Sequence, residues 1–165
     1  MMNRTTSLSQ PIIEALYAEA LVLADEVRSV FAHGTFAPEV DPEESLTSTE
    51  SALMRLALST EGLKTTTRMM HVLAWLLNQR AFFSGELSAK QVRVHGVLPA
   101  DRKADHEQLA RLEPETRALI AETERLHRRI ARLDTAWRQN FDMGASPARA
   151  FQDRIGRELG GAKGP

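Results

Sequence analysis

Three stretches of the chain place apolar residues at alternating steps of three and four, the spacing that collects them on one face of an α-helix. The first carries Ile13, Leu16, Ala20, Leu23, Val27 and Val30. Ser9 and Pro11 mark its start, and His33 and Gly34 its end, where a glycine can take the left-handed capping conformation. The second runs from about Thr47 to Ser84 with Gly85 as its stop, a rod of about 57 Å at 1.5 Å per residue. Its seam is Leu53, Leu56, Thr60, Leu63, Thr67, Met70, Ala74, Leu77 and Ala81, suited to packing against two neighbouring helices. The third starts at Pro114, with Glu113 and Glu115 at its positive end, and carries Thr116, Leu119, Thr123, Leu126, Ile130, Leu133 and Trp137.

The second helix has a further stripe roughly opposite its seam: Met54, Leu58, Gly62, Thr65, Met69, Val72, Leu76 and Phe83. A helix apolar on two opposed faces must be covered on both, and two partner helices cover one. This stripe is therefore the expected dimer or partner interface. A competing reading has residues 86–112 wrap the second face within one chain, leaving a monomer with no partner surface. Trp75 and Phe82 lie to one side of both stripes, so they are either covered by that segment or exposed as interface anchors. Gly62 costs about 1 kcal/mol relative to alanine inside a helix, which points to a close approach there. Thr60, Thr65, Thr66 and Thr67 have weak helix propensity, and their hydroxyls can bond back to the carbonyl four residues earlier.

Between these helices, residues 35–44 hold Pro38, Pro42 and four acids and read as a loop. Residues 86–112 read as a short helix, an irregular crossing around His95, Gly96 and Pro99, and a helical turn near His106 to Leu112. After Asn140, Ser146 and Pro147 precede Phe151, Ile155 and Leu159 at steps of four, a segment too short to be a stable helix alone. The expectation is an all-α antiparallel three-helix bundle over residues 1–142, dimeric through its long two-faced central helix. Residues 143–165 form a flexible tail whose Phe151 and Ile155 make contact with a partner.

Composition narrows the function classes. The 165 residues are 42% hydrophobic, with a net charge of -1 and no cysteine, which removes thiol nucleophiles, redox pairs and zinc knuckles. The longest apolar run, Val72 to Leu77, is far short of the roughly 18 residues of a membrane helix. The polar start offers no signal-peptide core, so a cytoplasmic protein with no membrane partner is expected. The charge is uneven: residues 1–60 hold three Arg against nine acids, net -6, and the rest is net +5. That suits electrostatically steered contact with a protein, although an acidic helix lying beside a basic one gives the same split internally.

No phosphate loop, His-Glu-x-x-His pair or nucleophile elbow occurs, so no catalytic residue, cofactor or metal ligand is expected. Glu124 and His127 have the Glu-x-x-His spacing of half a carboxylate di-metal site, without a second pair to complete it. His71, in the apolar stretch from Met69 to Leu77, fits a partly buried, hydrogen-bonded core residue. Arg125, Arg128, Arg129 and Arg132 form a basic strip, but Glu124 with Arg128, Asp134 with Arg138 and Glu122 with Arg125 have the spacing of local ion pairs. With no basic total, nucleic acid is not an expected partner.

Three segments together resemble a known bacterial family: Leu16-Tyr17-Ala18-Glu19-Ala20-Leu21; the stretch from Glu61-Gly62-Leu63-Lys64-Thr65-Thr66-Thr67-Arg68 through Trp75-Leu76-Leu77-Asn78-Gln79-Arg80-Ala81; and Pro114-Glu115-Thr116-Arg117-Ala118-Leu119-Ile120. Their order and separation are similar to those of the RcdA family, regulators of CtrA degradation. The resemblance implies a non-enzymatic adaptor, a dimer of three-helix bundles that helps present cell-cycle regulators to the ClpXP protease beside a response-regulator-type priming factor. It also implies a flexible C-terminal tail used in that work. It leaves out the loop at 33–46 and the tail of this chain. The alternative is a structural helical homodimer serving as an interaction module unrelated to proteolysis.

Overall fold

A computed structural model describes residues 4–35 and 49–144. All the regular structure among them is helical: α1 Arg4–Thr35, α2 Thr49–Phe83, α3 Ala89–His95, α4 His106–Leu109 and α5 Pro114–Gly144. The helix ends follow from local chemistry. Gly85 takes a positive φ of 82°, which lets the Glu86 and Leu87 N–H groups turn back onto the Ala81 carbonyl at 2.9 and 3.1 Å and close α2. Ser88 begins α3 with a reciprocal capping box, its hydroxyl accepting from Gln91 N–H while the Gln91 side chain accepts from Ser88 N–H. Asp105 begins α4 by accepting from the N–H groups of Glu107 and Gln108 at 2.8 and 3.2 Å. The backbone N–H groups of Gln108 and Glu107 hold its carboxyl below the ordinary carboxylate range.

The chain falls into two compact units, Met1–Ile130 and Ala131–Pro165. Within the second, Thr135 Oγ1 donates to the Ala131 carbonyl at 2.9 Å and Arg138 pairs with Asp134 at 3.0 Å.

Helices α1 and α2 run antiparallel. Arg80 meets Glu14 at 2.9 Å and lies 4.3 Å over the ring of Tyr17 at one end, and Phe31 meets Gly62 toward the other. A β-carbon at Gly62 would come 2.7 Å from the Phe31 ring, so the expected close approach is real: glycine leaves the space this ring occupies. From α1, Ile13, Leu16, Ala20, Leu23 and Val27 are buried, as their spacing indicates. From α5, Leu119, Ile120, Leu126 and Ile130 are buried, with Arg129 reaching Glu19 of α1 at 2.6 Å.

Residues 84–113 do more than connect. Leading out of α3, they form a strap that travels back along α2. Asp101 meets Arg68 of α2 at 2.8 Å, and Asp105 N–H meets Glu61, further toward the start of α2, at 3.2 Å. On α5, the Pro99 carbonyl lies 3.0 Å from His127 Nε2 and Ala104 N–H lies 3.2 Å from Glu124. Numbers rise along the strap while they fall on both helices, so the strap is antiparallel to each and α2 and α5 run parallel to one another. The expected antiparallel relation therefore holds between α1 and α2 and is reversed between α2 and α5. The reason is the strap's length: it carries the chain back past α2, so α5 starts near where α2 started.

Arg68 fastens this arrangement. Its side chain is fully buried, with Nε donating to Asp101 Oδ1, Nη1 to Thr123 Oγ1 at 2.8 Å, and Nη2 to the Arg102 carbonyl at 3.1 Å. Glu124 completes the shell at 3.5 Å. Thr123 passes the chain of bonds on, donating to the Ile120 carbonyl at 2.7 Å. Glu61, also buried, takes Lys64 Nζ at 2.7 Å beside Asp105 N–H, while its Oε2 has no partner among the described residues. Apolar side chains, Val92, Leu98 and Leu112, seat the remainder of the strap.

Two substitutions test this packing. Gly62→Val is expected to lower stability by about 1–3 kcal/mol through overpacking, with strong coupling to Phe31→Ala in a urea-unfolding double-mutant cycle; additive losses would mean the ring is not the obstacle. Arg68→Met leaves Asp101 and Glu124 without their cation, so a loss of about 3–5 kcal/mol is expected. Amide exchange should rise first across residues 97–105, whereas an unchanged exchange pattern there would show that the strap is held by other means.

Candidate functional site

Polar side chains decide which face of α2 turns inward. Glu61, Thr65, Arg68 and Gln79 are buried together with Met69, Val72, Trp75 and Leu76. These positions cover one broad arc of the helix, packed by α1 on one side and by the strap and α5 on the other. Thr65 suits its place by donating to the Glu61 carbonyl at 2.7 Å, the back-bond its position suggests.

The expected partner interface is therefore corrected. Gly62, Thr65, Met69, Val72 and Leu76 lie in the interior of the single chain, Leu58 and Phe83 are half-buried, and only Met54 is exposed. α1 covers one side of this arc, with Phe31 against Gly62, and the strap covers the other at Arg68 and Glu61, so the reading that has residues 86–112 wrap the second face holds in part; Trp75 is buried and Phe82 half-buried. The expected tail contacts, Phe151 and Ile155, lie outside the described residues.

The seam assigned to the interior is the one left bare. Leu56, Leu63, Met70 and Leu77 keep 59%, 71%, 64% and 47% of their surface in solvent. They stand at successive steps of seven, so they form one ridge of about 31 Å at 1.5 Å per residue. Thr60 and Thr67 beside them are half-buried and Ala74 is exposed. Isolated exposed apolar residues are ordinary, but a row along one helix at heptad spacing is the geometry of a seam awaiting a partner.

Two depressions flank this ridge. On the α1 side, a groove of about 690 Å³ is floored by Val27, Phe31, Leu58, Gly62 and Met69, with Leu63 and Met70 on its lip. On the strap side, a smaller hollow of about 240 Å³ is lined by Thr60, Lys64, Thr67, His71 and Arg102, with Arg68 and Asp101 at its floor. Leu63 borders both. His71 is half-buried in this hollow and has no hydrogen bond among the described residues, so it is a wall residue of a surface depression and not the hydrogen-bonded core residue its sequence setting indicates.

The other sequence candidates serve the fold. Glu124 accepts from Ala104 N–H and faces Arg68, and His127 donates through Nε2 to the Pro99 carbonyl, since a carbonyl only accepts. Among the described residues, no group of three or more His, Asp or Glu side chains gathers as a metal cage. Of the α5 arginines, Arg125 pairs with Glu122 at 3.3 Å and Arg138 with Asp134, as their spacing suggests, Arg129 crosses to Glu19 of α1, and Arg128 and Arg132 have no ion pair among the described residues. The expected Glu124–Arg128 pair gives way to the buried contact with Arg68.

A family model described as "Protein of unknown function (DUF1465)" matches residues 4–159. The chain belongs to the DUF1465 family. No curated protein and no solved structure matches it. No helix among the described residues of this DUF1465 chain is long and apolar enough to cross a membrane. What its geometry offers is an elongated apolar ridge between two hollows.

The exchange of faces has a direct test. Leu63→Asp is expected to change stability by no more than about 0.5 kcal/mol, as at other surface sites, whereas Leu76→Asp buries an unpaired charge and should cost more than about 4 kcal/mol. Equal shifts of the urea midpoint would return both stripes to the same footing.

Proposed function

We propose that this DUF1465 protein is a non-enzymatic adaptor whose working surface is the outward face of α2. The observation that carries the reading is the heptad row Leu56, Leu63, Met70 and Leu77, exposed on a helix whose other faces are already packed. A strict seven-residue repeat on an α-helix is matched by a partner helix wound against it in a left-handed coil, so the face fits a helix of another chain. In this reading α1, α2 and α5 act as a three-helix bundle, and the same ridge joins two copies in a cytoplasmic homodimer or takes up a client. The tail over residues 143–165 acts as a tether that raises local concentration once a partner holds it.

The resemblance to the RcdA family names the process: delivery of cell-cycle regulators such as CtrA to the ClpXP protease, with a priming factor. The central stretch that carries the resemblance, residues 61–81, includes both the polar knot at Glu61 and Arg68 and the ridge residues Leu63, Met70 and Leu77. The family's scaffold and the proposed working surface thus fall in one segment.

A reconstituted degradation assay tests this function. Adding the full chain to ClpXP, the priming factor and CtrA should raise the rate of CtrA loss several-fold, and the Leu63→Asp/Met70→Asp chain should lose most of that gain while remaining folded. A rate indifferent to the protein would remove the delivery role. A dimer in sedimentation that becomes monomeric in the same variant, with no effect on degradation, would favour the structural homodimer instead.

A further inference from the structure

The charges around the ridge are one-sided. From Ser51 to Phe83 the only acid in α2 is Glu61, which is buried and bound to Lys64 and the strap. The bases in the same span are Arg55, Lys64, Arg68 and Arg80, of which Arg68 is consumed in the interior and Arg80 by Glu14. Arg55 borders the apolar groove and has no ion-pair partner among the described residues, while Arg28 on the same groove is paired with Asp25 at 2.6 Å. On the other side of the ridge, Lys64, His71 and the exposed Arg102 line the smaller hollow with the hydroxyl-bearing Thr60 and Thr67. The two carboxylates facing this hollow or its lysine, Asp101 and Glu61, are already engaged by Arg68 and Lys64.

We infer that the α2 face recognises an acidic amphipathic helix of a partner protein, whose apolar side covers Leu56, Leu63, Met70 and Leu77 and whose carboxylates settle beside Arg55 on one flank and Arg102 on the other. This rests on the reading of the face as a protein-interaction surface and specifies its ligand. Charge complementarity selects the occupant. An acidic flank finds on each side of the ridge a cation unpaired among the described residues, Arg55 and Arg102, whereas a basic flank meets like charge at both, and like-charge juxtaposition is a strong discriminator between partners. A second copy docking by its own α2 would bring the same cations with no free carboxylate between Ser51 and Phe83 to meet them. The apolar ridge supplies contact area and the flanking charges set partner choice, the division of labour between seam and flanks in helix pairing.

Two synthetic helical peptides with leucine at seam positions test this, one with glutamate and the other with lysine at the flanking positions, each titrated with the full chain by fluorescence anisotropy at low and physiological salt. The glutamate peptide should bind at least tenfold more tightly than the lysine peptide, and raising the salt should narrow that gap. Arg102→Glu, whose side chain makes no hydrogen bond or ion pair among the described residues, should weaken the glutamate peptide about tenfold, and Leu63→Asp should abolish binding. Equal affinity for the two peptides, binding of neither, or indifference to Arg102→Glu overturns the inference. It is also overturned if the glutamate peptide binds only after residues 36–48 are replaced by a neutral linker, which would assign the face to the chain's own acidic segment. Degradation can fail while the peptides discriminate, or proceed while they do not, so this result and the delivery role are judged separately.

Discussion

A guanidinium removed from water sets the terms for this fold. The cost of dehydrating Arg68 is several kcal/mol unless its donors are matched, and the groups that match them come from three separate stretches: Asp101 and the Arg102 carbonyl from the strap, Thr123 and Glu124 from α5, all around a residue of α2. Satisfying one side chain therefore fixes the path of the strap and the alignment of α5 with α2. Glu61 repeats the device further along α2, gripping the strap at Asp105, and His127 adds a third tie at Pro99. These ties are polar and directional, so they specify position in a way that the aliphatic contacts around Leu98 and Leu112 do not.

The consequence appears on the opposite side of α2. Once Glu61, Arg68 and Gln79 face inward, helical periodicity obliges Leu56, Leu63, Met70 and Leu77 to face outward. The bare ridge is thus the other half of the same arrangement. It lies between an apolar groove and a basic hollow, and the floor of that hollow is the Arg68–Asp101 pair itself. The interior tie and the proposed recognition surface share a residue, so loosening the strap would reshape the place where a partner's carboxylates are expected to rest.

Much of the architecture was legible from local signals. Alternating steps of three and four located the long helices, Gly85 marked the end of α2, Pro114 marked the start of α5, and the strain of a mid-helix glycine pointed to the tight approach that Phe31 makes at Gly62. The broken pattern between them was readable as a short helix, a crossing and a turn. The choice of face was not legible, for a specific reason: hydrophobic patterning counts Glu61, Arg68 and Gln79 as surface, and here they are interior. An unbroken Leu-Thr-Leu-Thr-Met-Ala-Leu seam looks like the better core when polar residues interrupt its rival. Only the tertiary partners on the strap and α5, distant in sequence, make those polar residues affordable inside. The same distance effect redirected Glu124 from the neighbouring Arg128 to Arg68 and placed His127 on a backbone carbonyl. One signal was present and carried no weight: Glu61 is the single acid between Ser51 and Phe83, seven residues before an arginine.

Adjacent methionines on α2 offer the most direct check of which face is bare, because Met69 is 3% exposed and Met70 is 64% exposed. Peroxide converts accessible methionine to sulfoxide, and fragmentation mass spectrometry separates the two sites. At dilutions where sedimentation shows single chains, Met70 should oxidise at close to the rate of a free peptide methionine and Met69 at least tenfold more slowly. Comparable rates, or protection of Met70 with oxidation of Met69, would contradict the inward turn of the Arg68 face and with it the account of the ridge as the surface this protein presents.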